Sequence, residues 1–219
     1  MLSCTPRPRI DLATGINPRA CPRLAMPFEV QCFGIVTERQ RPAALRDRND
    51  GRMIYVTPLS KLDETLALSG AQRLVTLLRK DSTFARPAGV LRENHLILQM
   101  HDITEKTPGM IAPSRRHVTD LLRFARNWDR SAPLAINCYA GISRSTAAAY
   151  IIAAALAPDR DETELARELR ARAPSATPNI RLIALADALL GRESRMIEAV
   201  KSIGRGEEAF EGVPFVLDI

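Results

Sequence analysis

Thiols, aromatic side chains and long apolar runs are all scarce in this chain of 219 residues. The cysteines stand at positions 4, 21, 32 and 138, with no C-x-x-C pair and no repeated spacing. That layout argues against a disulfide framework or a structural zinc site, and scattered thiols fit a reducing cytoplasm. The most apolar run, Ala147 to Ala157, falls short of the roughly 20 residues that a bilayer span requires. The first 27 residues hold arginines and five prolines but no apolar core of the signal-peptide kind. A cytoplasmic protein with no membrane span is the expectation. His95, His101 and His117 lack metal-ligand spacing. The net charge of +6 comes largely from arginine, which suits anionic partners such as phosphate esters. No aromatic stacking array accompanies it, so nucleic acid is not an expected partner.

Residues 1–27 are expected to form a poorly ordered leader, since prolines and arginines leave little to bury. Met26-Pro27-Phe28 reads as the start of a single domain over 28–219. Strand character is expected in Phe28–Val36, Met53–Thr57, Arg73–Leu78, His95–Met100 and Leu134–Cys138. Ser60 is a cap candidate for a short helix over Lys61–Ser69 that Gly70 would stop. Ser114 is the expected cap of a helix running to about Trp128, with Val118, Leu121, Leu122 and Ala125 on its apolar face. After residue 145 the pattern reads as helix only. Thr146–Leu156 is apolar nearly all round, Asp161 with Glu164 has capping-box spacing, Thr177-Pro178 offers a cap and an N1 proline to a helix over Asn179–Leu190 ended by Gly191, and a last helix spans Ser194 to Ile203. Strands and helices intermingled, then consecutive helices, predict an α/β fold with a central, mostly parallel sheet flanked by helices.

The informative stretch is Asn137-Cys138-Tyr139-Ala140-Gly141-Ile142-Ser143-Arg144-Ser145-Thr146. Cys138 ends a short strand, and Arg144 opens an apolar helix after five intervening residues. A strand–loop–helix of this kind turns successive backbone N–H groups inward, and the helix dipole adds positive potential at the same point. Such a pocket binds phosphate and favours thiolate over thiol. Gly141 permits tight curvature, and Arg144 can offer a planar two-pronged donor to phosphate oxygens. Expulsion of an alcohol or phenol also needs a proton, so a carboxylic acid must lie within reach.

The segment C-Y-A-G-I-S-R-S-T resembles the C-x5-R-[ST] phosphate-binding loop of the protein tyrosine phosphatase superfamily, in its dual-specificity branch and in small bacterial tyrosine-phosphatase-like proteins. The resemblance implies a tyrosine-phosphatase-like fold and a phosphoric monoester hydrolase that needs no metal or other cofactor. It implies Cys138 as nucleophile forming a phosphocysteine, with Arg144 and loop residues Tyr139, Ala140, Gly141, Ile142 and Ser143 cradling the phosphate. Asp102, just beyond the strand at His95–Met100, stands where the resemblance places the general acid, while Asp120 and Asp129, within and at the end of a predicted surface helix, are weaker candidates; Ser145 would help the thiolate leave. Asn179, in A-T-P-N-I, resembles an asparagine that supports the loop, although Ile180-Arg181 departs from the family's glycine-phenylalanine. Asn137 stands where the family carries a loop-supporting histidine. That substitution leaves open a module that binds phosphorylated ligands without turnover. Rhodanese-like sulfur transfer is disfavoured by the arginine and the Ser145-Thr146 helix start. The implied partner is a phosphorylated protein, on phosphotyrosine above all, or a small-molecule phosphate ester. No lysine or second arginine in the loop favours a polyphosphorylated ligand.

Overall fold

The computed structural model describes residues 51–219; the leader expected at 1–27, the boundary after it, the strand expected at Phe28–Val36 and the first three cysteines lie outside the described residues. Within them the chain builds β1 (Met53–Pro58), α1 (Leu62–Ser69), β2 (Arg73–Leu78), β3 (His95–Gln99), α2 (Arg115–Arg126), β4 (Leu134–Cys138) and α3 (Arg144–Leu156). There follow α4 (Glu162–Arg172), α5 (Ile180–Leu190), α6 (Arg195–Ser202) and β5 (Phe215–Asp218). The sheet is five-stranded in the order β3-β2-β4-β1-β5. Strands β1 to β4 are mutually parallel, and β5 runs antiparallel to β1. This is the α/β architecture expected, with a mostly parallel sheet between helices. Among the described residues no helix is long and apolar enough to cross a membrane.

Alternation along β4 sorts its side chains between the two faces of the sheet. Leu134, Ile136 and Cys138 enter the main core with α2 to α6, while Ala135 packs with Leu62, Leu74 and Val90 on the α1 side. All five residues of β4 are buried, as a central parallel strand covered on both faces must be. Helix α3 is buried from Arg144 through Ala154. Its alanines let it lie close against the sheet, and that fixes the height of its first turn over the end of β4. In helix α2 the buried residues are Val118, Leu121, Leu122 and Ala125, the face that the spacing predicts. Ser114 caps it, accepting from the His117 N–H, while the His117 ring accepts in return from the Ser114 N–H.

Three local expectations are corrected. Ser60 does not cap α1; its hydroxyl donates to the Glu211 carboxylate, and a 3-10 turn over Leu59–Lys61 leads into the helix instead. Gly70 does stop α1, in the left-handed conformation. Thr177 does not cap α5 either: Asn179 is the cap, accepting from the Leu182 N–H at 3.1 Å. The reading of residues after 145 as helix only misses β5, a four-residue strand whose Phe215, Val216 and Leu217 are buried. So short a run has no period of its own, and pairing with β1 decides it.

Helix α6 begins without a cap of its own, since Ser194 sits at a φ of 71° and its side chain makes no capping bond. The buried Asp187 of α5 takes over, its carboxylate accepting from Ser194 N–H at 2.8 Å and Met196 N–H at 3.0 Å. Charge-assisted bonds to an otherwise orphaned helix start are strong. Asp187→Ala should lower stability by about 2–3 kcal/mol, read as a lower urea midpoint at unchanged slope. An unchanged midpoint would mean that α6 does not depend on this carboxylate.

Candidate active site

The loop after Cys138 is shaped by what its carbonyl groups bond. Tyr139 C=O accepts from Leu59 N–H at 3.1 Å, and Ala140 C=O from Gly212 N–H at 2.8 Å. Ile142 C=O accepts from Thr177 N–H at 3.0 Å, and Ser143 C=O from Asn179 N–H at 3.3 Å. Each of these donors lies outside the loop. In a planar trans peptide the N–H of the next residue points the opposite way from the C=O. The amides of Ala140, Gly141, Ser143 and Arg144 are therefore turned toward the loop's interior. Thr146 Oγ1 reinforces the arrangement, donating to Ile142 C=O at 2.6 Å and Ser143 C=O at 2.9 Å.

Gly141 lies at a φ of 71°, and a Cβ there would stand 2.8 Å from Pro58 N. The end of β1 thus presses on the loop so closely that only glycine fits. Cys138 is 2% exposed, and its Sγ lies 3.1 Å from the Ser145 hydroxyl. Arg144 is buried and anchored by a bond from Nη1 to Met100 C=O at 2.9 Å. Its Nε is buried without a hydrogen-bond partner, and Asp102 Oδ2 at 3.7 Å is too far to serve as one. A buried guanidinium N–H lacking an acceptor suits an anionic oxygen.

Asp102 is held beside the loop from two sides. Its Oδ1 accepts from Ser143 Oγ at 2.7 Å and from Asn179 Nδ2 at 2.7 Å. Asn179 thereby does three things, capping α5, gripping Asp102 and donating its backbone N–H to Ser143 C=O. The segment after Asp102 is closed by His101, whose N–H donates to Ile111 C=O at 2.7 Å while its Nδ1 accepts from Ile111 N–H at 2.9 Å. Arg181 braces the same segment, with Nε donating to Pro113 C=O at 2.8 Å and Nη1 to Thr104 C=O at 3.1 Å. Arg181 supplies a tie that sequence reasoning missed, and no local signal could have found it, because its partners lie 68 and 77 residues earlier.

Cys138, Ser145, Arg144, Asp102 and Asn179 are thus brought together at the C-terminal end of β4. The weaker acid candidates are elsewhere: Asp120 pairs with Arg116 and Arg123 on α2, and Asp129 accepts from Ser131 in a turn. Asn137 lies on the other face of β4 from Cys138. Its Oδ1 accepts from Thr76 Oγ1 at 2.7 Å, its Nδ2 is buried without a partner, and so its amide does not bond to residues of the loop. Thr76 Oγ1 is also 2.9 Å from His95 Nε2, and with the hydroxyl donating to Asn137 the ring must donate to it. Among the described residues no group of three or more His, Cys, Asp or Glu side chains is placed to hold a metal.

No protein-family model matches the chain, and no curated protein does. The solved structures it resembles are dual-specificity and tyrosine phosphatases. Human DUSP28 is 14% identical at a TM-score of 0.48, over 68% of this chain and 94% of that one. DUSP15 is 15% identical at a TM-score of 0.48, over 68% and 89%. The Cydia pomonella phosphatase PTP-2 is 16% identical at a TM-score of 0.49, over 62% and 84%. These are likenesses of chain trace alone.

Two outcomes follow. Gly141→Ala forces both a left-handed alanine and a clash with Pro58, and should destabilise the protein by about 1–3 kcal/mol while abolishing binding of inorganic phosphate in calorimetry. Wild-type phosphate affinity in that variant would show that the loop can be rebuilt around a Cβ. The second concerns pH. Burial, with Arg86 adding repulsion, pushes His95 down from 6.5 to about 4. Burial lowers His117 as well. Each unfolded imidazole takes its proton at a higher pH than the folded one; for His95 this contribution is complete above about pH 6.5 and is lost as pH falls toward 4. His95→Gln should flatten the fall in urea midpoint between pH 6.5 and 4 by up to one proton's worth of slope. An equally steep fall in the variant would clear His95.

Proposed function

We propose that this chain is a cysteine-dependent phosphatase that hydrolyses a phosphate monoester, phosphotyrosine first, through a phosphocysteine intermediate and without a metal. The observation that carries the reading is the loop in which four carbonyls bond to donors outside it, wrapped between a buried thiol and a buried arginine with an unpartnered N–H. That combination is an anion cradle with a nucleophile at its base.

In the first step the Cys138 thiolate attacks phosphorus in line, a P–S bond forms, and the bond to the leaving oxygen breaks. Arg144 and the inward amides hold the equatorial oxygens as charge spreads over them. Asp102 gives its proton to the leaving oxygen. In the second step water attacks phosphorus, the Asp102 carboxylate takes the water's proton, and the P–S bond breaks. The Ser145 hydroxyl, 3.1 Å from Sγ, donates to the sulfur as it leaves with the electron pair. Inorganic phosphate is released and the thiolate restored. Ser143 and Asn179 aim the acid, and Asn137 steadies the end of β4 from the opposite face through Thr76.

The test is hydrolysis of p-nitrophenyl phosphate and of phenyl phosphate, with a chelator present. Activity should vanish in Cys138→Ser and fall about a hundredfold or more in Asp102→Ala. The Asp102→Ala loss should be greater for phenyl phosphate, the poorer leaving group. Full activity in Cys138→Ser would sink the mechanism. A parent that binds phosphotyrosine peptides but never turns them over would favour the binding module, with Asn137 as the first residue to revert to histidine.

A further inference from the structure

Beside the loop, the stretch from Gly204 to Val213 (G-R-G-E-E-A-F-E-G-V) leaves α6 and crosses the site before entering β5. It is held at both ends. At its start Arg170 donates to four carbonyls: Pro174 at 3.2 Å, Ala176 at 2.9 Å, Gly204 at 2.9 Å and Arg205 at 3.1 Å. One guanidinium thereby joins the foot of this strap to the segment whose Thr177 N–H bonds the phosphate loop. Gly206 N–H then donates to Thr177 Oγ1 at 3.1 Å, and Glu207 N–H to Pro174 C=O at 3.0 Å. At the far end Gly212 N–H donates to Ala140 C=O, and a Cβ on Gly212 would lie 2.9 Å from Gly141 C=O. Between these anchors the strap lifts Phe210 into solvent.

Phe210 is 94% exposed, and Tyr139, on the loop itself, is 65% exposed. Phe210 forms the ridge between two clefts that both touch the loop. One, of about 700 Å³, is bounded by Ile142, Thr177, Arg205, Glu207 and Glu208, with Arg205 Nη2 3.9 Å from the Glu208 carboxylate at the solvent-exposed rim. The other, of about 350 Å³, is bounded by Ser60, Tyr139, Ala140 and Glu211. The whole chain carries a net charge of +6, yet this strap holds three glutamates against one arginine. An isolated phosphate or small ester would use neither the ridge nor the clefts. A polypeptide would use both, because two extended residues reach about 7 Å to either side of a phosphorylated side chain seated in the loop.

Resting on the phosphatase reading above, we infer that Gly204–Val213 is a recognition strap for polypeptide substrates, with Phe210 packing on the chain beside the phosphorylated residue and Glu207, Glu208 and Glu211 selecting basic flanking residues. The substrate class is thereby a phosphorylated protein segment with lysine or arginine neighbours, not a free small-molecule ester. Exposed aromatic surface next to like-signed charges is what such a segment recognises by contact and by field together.

The experiment compares p-nitrophenyl phosphate with two phosphotyrosine peptides of equal length, one flanked by lysines and one by glutamates, on the full chain. The ratio of kcat/KM for the lysine peptide to that for p-nitrophenyl phosphate should fall about tenfold in Phe210→Ala. The lysine-over-glutamate preference should shrink at least tenfold in the doubly substituted Glu207→Lys, Glu208→Lys chain. An unchanged thermal midpoint shows that each variant is folded. A parent that hydrolyses all three substrates with no gain for either peptide, or variants that leave both ratios unaltered, would overturn the strap while the phosphatase stands. If the parent hydrolyses none, the phosphatase reading fails, and calorimetric titration of the same peptides decides the strap. Lysine-peptide preference that is lost in Phe210→Ala supports it, and equal affinities overturn it.

Discussion

Four carbonyl groups in the loop after Cys138 are bonded by donors from four different places: the turn after β1, the strap before β5, the approach to α5, and the α5 cap itself. Because a peptide plane cannot turn its C=O outward without turning the next N–H inward, these bonds decide the electrostatics of the cradle. Gly141 pressed against Pro58 permits the curvature, and the buried first turn of α3 closes it. The remaining architecture can be understood as what is needed to bring those donors into place. Four mutually parallel strands set the height of Cys138, and β5 returns the chain so that Gly212 can reach Ala140.

Asp102 and the loop are joined through two side chains, Ser143 and Asn179, which meet on one oxygen of Asp102. This coupling means that the position of Asp102 is set by the loop and by α5, and that the segment carrying it is braced further by His101 and Arg181. On the opposite face of β4 lies a separate polar line, His95 to Thr76 to Asn137, fully buried at Thr76 and Asn137. Asn137 therefore bonds sideways across the sheet.

Much of the frame is legible in the sequence because it rests on local physics. Strands β1 to β4 are runs of apolar residues of strand length, and α2 announces its buried face and its Ser114 cap by spacing alone. Where local reading failed, a distant partner had taken the residue. Ser60 has the chemistry of a cap, but Glu211, far along the chain, holds its hydroxyl. Thr177 has it too, but its hydroxyl accepts from Gly206, which leaves Asn179 to cap. Strand β5 is four residues long and exists because β1 offers it an edge.

By itself the sequence determined the spacing of Cys138, Gly141, Arg144 and Ser145, with five residues between the end of a strand and the start of a helix, because both elements announce themselves locally. Only the tertiary structure decided what surrounds that loop. Which oxygen of Asp102 is gripped, which carbonyls Arg170 gathers and where Phe210 is presented depend on contacts between segments that are dozens of residues apart. Such contacts carry no periodic or local signature, since they are formed by packing of the whole domain and not by the residues on either side of them.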